Sequence, residues 1–340
     1  MLSSGQKSES HWESQSLHQT QCDSEDRVVA ASFSLQPYAE VMEPVDVIVV
    51  GGGVSGLTAA LGLEERGKSV LIIDKAKRLG GRVASGKIGQ HLFNTGPLSS
   101  QLEGDCFDDL GLHPFTSPIG SDERAMGDAA KFCTAWSKHF SWHQGLVTTI
   151  RQEKDHYCVE TEISGESYQA RSVVLTCPGP QSQHLLEQSG FPLPRELSEI
   201  CYTKELLLIV EAVLDPDQSP LASETLSLHQ GATSPTSRPQ ALALKANPTW
   251  SNQHFGQDEE DTKAALLREF FGMFPGAHVT QSGLKRWRYA NAVTTTEERF
   301  LRINTALDLC VAGDGFGDRA QDGLRRAVLS GQAISAHLGG

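Results

Sequence analysis

The chain has no run of roughly 20 consecutive apolar residues, the length a membrane-spanning helix needs. It also has no excess of positive charge, for its 340 residues carry a formal net charge of −13. That balance removes any general attraction to nucleic acid or to an anionic membrane as a partner. An anion bound here must be held by local groups. Paired cysteines are lacking too. The seven present, Cys22, Cys106, Cys133, Cys158, Cys177, Cys201 and Cys310, contain no C-x-x-C and no zinc-like spacing. Dispersed in this way they suit reduced thiols in an intracellular protein better than a disulfide framework. There is no G-x-S-x-G elbow and no H-E-x-x-H helix, and His139 and His143 have neither a following glutamate nor an evident third ligand. Asp314, Asp318 and Asp322 lack the Asp-x-Asp-x-Asp-Gly loop of a calcium site. No metal is expected.

What is present divides the chain unevenly. Residues 1–43 are rich in Ser, Gln, His and Glu, with Lys7 and Arg27 the only strong bases. That is the composition of a disordered tail. It lacks the basic start and apolar run of a secretory signal and is too acidic for a typical organelle transit peptide, so cytoplasm is the expected compartment. Beyond it, a hydrophobic content of 39% supports a globular protein long enough for two cores. "VDVIVV" reads as a strand buried on both faces of a parallel sheet. "SGLTAALGLEERGK" follows with helical spacing, and "SVLIID" is a second buried strand. "LVTTI", "HYCVET" and "YQARSVVLTC" are read as further strands, "KELLLIVEAVL" as a strand or a buried helix with the strand preferred, and "DEEDTKAALLREFFGMF" as a helix with acidic residues in its first turn.

The turn between the first strand and helix places Gly51, Gly53 and Gly56 as G-x-G-x-x-G. In that context the first glycine permits a tight turn, the second close approach of backbone to a pyrophosphate, and the third close packing of helix on strand. The helix amino terminus offers the N–H groups of Val54, Ser55 and Gly56 to phosphate. Asp74 ends the next strand, where a carboxylate meets ribose hydroxyls, with Lys75 beside it. A second glycine pair, Gly80 and Gly81, leads to Arg82, whose guanidinium fork suits a pyrophosphate approached from the other side.

Taken with "VAGDGFGDRAQDGLRRAVLSGQAIS", these stretches resemble the FAD-dependent amine oxidase superfamily, and most of all its renalase branch. "VVLTCPGPQSQHLL", "ANPTWSNQHF" and "LKRWRYANAV" carry the likeness to the branch. The resemblance implies an α/β fold: a doubly wound Rossmann-type FAD-binding domain, discontinuous over 44–100, 130–180 and 280–340, with a sheet-rich substrate domain at 101–129 and 181–279. It brings Gly313 and Asp314 to the ribityl and phosphate region of the flavin. Gly323 and Leu324 then open a helix whose positive end faces the flavin pyrimidine, and the Val147 backbone meets the adenine. No cysteine lies between Gly313 and Gly331, so noncovalent FAD is expected. The implied reaction is oxidation of 2- and 6-dihydro isomers of NAD(P)H to NAD(P)+ by hydride transfer, with O2 as acceptor and hydrogen peroxide as product. Hydride transfer that leaves an aromatic product needs orientation more than acid–base machinery, and no residue is singled out as catalytic. The branch's Asp-x-Gly-Ala-Gln segment is replaced here by "FNTGPLSS", so that Asn94, Gly96, Pro97, Leu98 and Ser99 stand beside the flavin, with only the glycine kept.

Overall fold

A computed structural model describes residues 44–98, 135, 138–162, 166–215, 219–230, 238–303 and 305–340. The expected tail at 1–43, the expected substrate segment 101–129 and Ser99 lie outside the described residues. Strand β1 (Val45–Val50) is buried on alternating sides, Val47 and Val49 in one core and Ile48 and Val50 in another. A β-branched strand with water on neither face is stable only between two layers, and that is how the protein is built. Helix α1 (Val54–Glu64) returns the chain to β2 (Val70–Asp74), which pairs parallel to β1. The hairpin β3 (Ser85–Ile88) and β4 (His91–Asn94) follows. Next come β5 (Trp142–Gln144), β6 (Val147–Gln152), β7 (Tyr157–Thr161) and β8 (Ser167–Leu175). Helices α2 (Gly179–Gln188) and α3 (Arg195–Ser198) lead to β9 (Glu205–Val213), β10 (Leu226–Gln230) and β11 (Gln240–Ala246). Helices α4 (Pro248–His254) and α5 (Glu259–Met273), strands β12 (His278–Trp287), β13 (Leu301–Arg302) and β14 (Leu309–Val311), and helix α6 (Gly323–Leu338) complete the chain.

Among the described residues eight strands form one sheet. Its path runs β13-β14-β8-β1-β2-β5, parallel from β14 to β5, with the antiparallel pair β6 and β7 joined to β8. One face is covered by α1 and α6, which pack so closely that a Cβ on Gly331 would lie 2.4 Å from the Ser55 carbonyl oxygen. Strands β10-β11-β9-β12 make a separate antiparallel sheet. Helix α5 packs Leu266 and Phe270 against Leu206, Leu208 and Val210 on one face of that sheet. Its start is capped by Asp258, which accepts from Glu260 N and Asp261 N, as the acidic first turn suggested. The α/β expectation is met, with all the strand and helix readings above.

The β12 ladder runs from His278 opposite Val213 to Trp287 opposite Glu205. Leu185, Leu186, Leu197 and Ile200 lie in the core beneath the eight-stranded sheet. Among the described residues no helix is long and apolar enough to cross a membrane.

Candidate cofactor site

Gly51 and Gly313 follow the carboxyl ends of the parallel strands β1 and β14, and Gly80 and Gly81 pack against the first of these turns. In an open α/β sheet the crevice at such ends, where strand order reverses, is where ligands bind. Here the reversal is at β1, flanked by β8 on one side and β2 on the other.

The first turn has the shape its sequence demands. A Cβ on Gly56 would lie 2.1 Å from the Gly51 carbonyl oxygen and 2.7 Å from Thr176 Oγ1, so only glycine permits this approach. Gly51 has φ +110°, a left-handed conformation that side chains resist. Thr176, at the end of β8, fixes the turn by donating its hydroxyl to the Gly51 carbonyl at 2.7 Å. Gly53 is different. Its φ is −76° and a Cβ there would meet no atom within 4 Å. It borders open space at the amino end of α1, where no side chain caps the helix and the first turn holds no acid. Uncapped N–H groups beside an open backbone are what a pyrophosphate requires. Val54, Ser55 and Gly56 supply that turn, and all three are buried. Ser55 Oγ has no hydrogen-bond partner among the described residues.

The second glycine pair lies directly against the first. Gly80 N donates to the Gly52 carbonyl at 2.6 Å, and a Cβ on Gly81 would come within 3.0 Å of Gly53 Cα. Asp74 ties in as well: its Oδ2 accepts from Gly52 N at 2.5 Å and its Oδ1 from Ala76 N at 2.7 Å. Burial pushes its carboxyl up, against the pull of those two N–H groups and of the Lys75 charge. Each carboxylate oxygen keeps a lone pair for a further donor. Lys75 itself is exposed. Gly145 N donates to the Asp74 carbonyl at 2.9 Å, which holds the start of β6 near the end of β2, while the Val147 side chain is buried in the core.

Arg82 does not project freely. Its guanidinium forks onto Asp314, Nη1 to Oδ2 at 2.7 Å and Nη2 to Oδ1 at 2.5 Å, and Nη1 also reaches the Ala290 carbonyl at 3.3 Å. The Asp314 side chain is wholly buried. Its Oδ1 also accepts from the Tyr202 hydroxyl at 3.0 Å, and that ring lies under the Arg82 guanidinium at 5.3 Å. Burial alone would push the Arg82 guanidinium down, but the Asp314 carboxylate outweighs it and holds the group above its ordinary range. Burial also pushes the Tyr202 hydroxyl up, so it stays a donor. Arg326, itself 4% exposed, grips the backbone of the same turn, Nε to the Asp314 carbonyl at 2.6 Å. Sequence reading placed Arg82 and Asp314 separately at the cofactor and missed their pairing. Tyr202, which lies in no glycine motif, was missed altogether, and Arg326 was not singled out within the glycine-rich stretch that holds it.

Gly313, with φ +149° and no atom within 4 Å of a built Cβ, faces open space like Gly53. Gly323 and Leu324 begin α6, where the Asp322 carboxylate caps the helix by accepting from Arg325 N at 2.7 Å. A Cβ on Gly323 would lie 3.1 Å from Leu98 Cδ2 and 3.7 Å from Asp314 Oδ2. The segment from Asn94 to Leu98 therefore packs between Arg82 and the start of α6. Gly96 is fixed there because a Cβ would fall 2.0 Å from the Arg82 carbonyl oxygen. "LKRWRYA" serves mainly to join elements: the Trp287 indole donates to the Thr95 carbonyl at 2.8 Å, and Arg286 to the Phe255 and Gln257 carbonyls at 2.5 and 3.0 Å.

Fold and turn together define a dinucleotide-binding α/β protein. A family model described as an NAD(P)-binding Rossmann-like domain matches residues 49–103, and one described as flavin containing amine oxidoreductase matches residues 146–338. The second takes in more than half of the chain, which thus belongs to the flavin-containing amine oxidoreductase family. FAD, a dinucleotide and a flavin, is its cofactor, and the open, uncapped cradle at Gly53 fits it. Local relatives include the FAD-dependent oxidoreductase oblC of Cochliobolus heterostrophus, 48% identical over 48 residues (14% of this chain, 10% of that one). Another is the neurosporene-forming phytoene desaturase of Rhodobacter capsulatus, 34% identical over 101 residues (25% and 19%). Amine oxidase [flavin-containing] A of Bos taurus is 45% identical over 49 residues (14% and 9%). The matches thus span at most about a fifth of these relatives. Among solved structures, cyclohexylamine oxidase from Brevibacterium oxydans matches with TM-score 0.57 at 14% identity, over 87% of this chain and 99% of that one. A putative protoporphyrinogen oxidase from Exiguobacterium sp. gives 0.58 at 14%, over 88% and 99%. At such identity the likeness speaks for the fold.

Proposed function

We propose that the protein is an FAD-dependent oxidase of renalase type, which converts 2- and 6-dihydro isomers of NAD(P)H to NAD(P)+ while O2 is reduced to hydrogen peroxide. The observation that carries the reading is the meeting of two halves at one crevice. The glycine cradle at Gly51–Gly56 stands at the end of β1, and Trp287 of the antiparallel sheet and Tyr202, just ahead of β9, bond to Thr95 and to Asp314, the partner of Arg82. The branch-like stretches "VVLTCPGPQSQHLL" and "LKRWRYANAV" favour the renalase branch within the family. In this reading the eight-stranded sheet is the FAD-binding half and the antiparallel sheet the substrate half.

FAD when bound supplies a two-electron acceptor for hydride and a route for those electrons to O2. Around it, the N–H groups of Val54, Ser55 and Gly56 hold the pyrophosphate, helped by Gly81, and Asp74 with Lys75 holds the adenosine ribose. The Val147 backbone borders the adenine. Gly313 lets backbone approach the ribityl chain, and the paired Arg82 and Asp314 fix that turn. The positive end of α6 at Gly323 and Leu324 favours negative charge on the flavin pyrimidine and hence electron uptake. No cysteine lies from Gly313 to Gly331. Cys177 and Cys310 are both pushed up to about 12 by burial, foremost, and are poor nucleophiles. In this reading the cofactor is held noncovalently.

A second reading, a flavin amine oxidase or desaturase acting on another small substrate, is favoured by the family match itself. Replacement of the branch's Asp-x-Gly-Ala-Gln by Asn94–Leu98 supports a third, an FAD-binding protein without turnover. Anaerobic mixing of the FAD-loaded protein with 2- and 6-dihydroNAD(P), against a panel of amines, separates them. Bleaching of the oxidised flavin band by the dihydropyridines is expected. Bleaching by an amine alone would give the second reading, and bleaching by no donor the third.

A further inference from the structure

The turn that carries Gly313 and Asp314 is bonded to the segment that follows "LKRWRYA". Phe316 N donates to the Gly313 carbonyl at 3.2 Å, Thr296 N to the Gly315 carbonyl at 3.0 Å, and Gly317 N to the Thr296 carbonyl at 2.8 Å. Ser330 ties the two together, its Oγ accepting from Gly313 N at 3.0 Å and donating to the Arg299 carbonyl at 2.6 Å. An open cavity of about 570 Å³ lies between these segments, a volume usual for small-molecule sites. It shares no lining residue with the cofactor cradle. Thr294, Thr295 and Glu297 line it from one segment and Gly317, Asp318 and Arg319 from the other, with Arg299 between them. Among the described residues no apolar side chain lines it.

Arg299 is half-buried and held in place. Its Nη1 donates to Gln321 Oε1 at 3.2 Å, and the Gln321 carbonyl is itself gripped by Arg326 Nη1. A Cβ on Gly317 would lie 2.7 Å from Arg299 Nη1, so the guanidinium rests against bare backbone. Among the described residues neither Arg299 nor the exposed Arg319 is paired with a carboxylate. An oriented guanidinium fork with no counter-charge, open to a cavity, is an anchor for phosphate or carboxylate. The acids in the walls narrow the choice. Asp318 spends Oδ1 on Ala320 N at 2.9 Å, which leaves its other oxygen and the Glu297 carboxylate as acceptors. The Thr294 hydroxyl is already committed to Glu199 and Cys201, whereas that of Thr295 has no partner among the described residues. A bare inorganic anion would meet two carboxylates with nothing to donate to them, and an ammonium ligand would meet two guanidinium groups. A hydrocarbon substrate would find no apolar contact. We propose that this cavity binds a sugar phosphate, with the phosphate on Arg299 and Arg319 and the sugar hydroxyls donating to Glu297 and Asp318. Such a group comes either as a free sugar phosphate or as the ribose phosphate of a nucleotide.

The test is calorimetric titration of the FAD-loaded protein with ribose 5-phosphate, ribose and inorganic phosphate. Ribose 5-phosphate is expected to bind at least about tenfold more tightly than either fragment, and Arg299→Gln to weaken it about tenfold or more, the loss of charge-assisted hydrogen bonds. FAD content and melting temperature report whether that variant is folded; if it is not, Arg319→Gln, at an exposed residue, carries the same expectation. Absence of ribose 5-phosphate binding, inorganic phosphate binding equally well, or unchanged binding in a folded variant overturns the site. NADP+ as competitor separates the two sources. Displacement of ribose 5-phosphate by NADP+ assigns the group to a nucleotide, and binding that NADP+ leaves untouched assigns it to a free sugar phosphate; both keep the site. Calorimetry needs no turnover, so a failure of dihydropyridines to reduce the flavin would overturn the renalase reading and leave this site standing.

Discussion

Asp314→Ala is expected to destabilise the protein by about 3–5 kcal/mol, the usual result of removing one partner from a buried ion pair. The reason lies in what is left behind. Arg82 would keep its charge in a largely buried setting with only carbonyl oxygens nearby, and the Tyr202 hydroxyl would lose its acceptor. In a chain of this size each kcal/mol shifts the midpoint by roughly 1.5–2 °C, so thermal melting of the apoprotein should fall by roughly 5–10 °C. Asp314→Asn, which keeps an acceptor for Tyr202, should lose less. The double variant Arg82→Met, Asp314→Leu should recover much of the loss, because no charge remains unpaired. An Asp314→Ala apoprotein melting with the wild type would mean that this knot is not a structural element.

Gly53→Ala should behave in the opposite way. The added methyl meets nothing in the folded chain and the backbone there is unstrained, so apoprotein stability should stay within about 0.5 kcal/mol of wild type, as at ordinary surface sites. The open space it fills is the approach to the α1 amino terminus. Displacing a phosphate from even one or two charge-assisted N–H bonds costs about 2–3 kcal/mol, or roughly a hundredfold in FAD affinity, read by titration of flavin fluorescence. Gly56→Ala serves as contrast, since its methyl would collide with the Gly51 carbonyl and disturb the turn itself. Wild-type FAD affinity in Gly53→Ala would place the pyrophosphate elsewhere.

The cradle was legible in the sequence because every signal for it is local. A β-branched run, glycines at fixed offsets and an acid at the next strand end lie within Val45–Asp74, and each offset has its own steric cause. The steric demands at Gly51 and Gly56 can be read locally for that reason. The Arg82–Asp314 pair was half legible: both residues stood out beside glycines, but their pairing spans 232 residues in sequence and no spacing rule links them. Tyr202 left no signal at all. It precedes a strand whose neighbours are chosen by matching apolar faces, and the same long-range matching sets 280–287 in the antiparallel sheet and Leu185, Leu186, Leu197 and Ile200 beneath the other. In the "LKRWRYA" cluster, Arg286 and Trp287 bond to the carbonyls of Phe255, Gln257 and Thr95.

The most direct test of the central claim, a noncovalently held FAD in the Gly51–Gly56 cradle, is an absorption spectrum of the purified protein after reconstitution with FAD, followed by acid precipitation. The account predicts the bands of oxidised flavin on the folded protein and their complete passage into the supernatant as free FAD. A protein that takes up no flavin under these conditions, or that keeps it in the precipitate through a covalent bond, would contradict it.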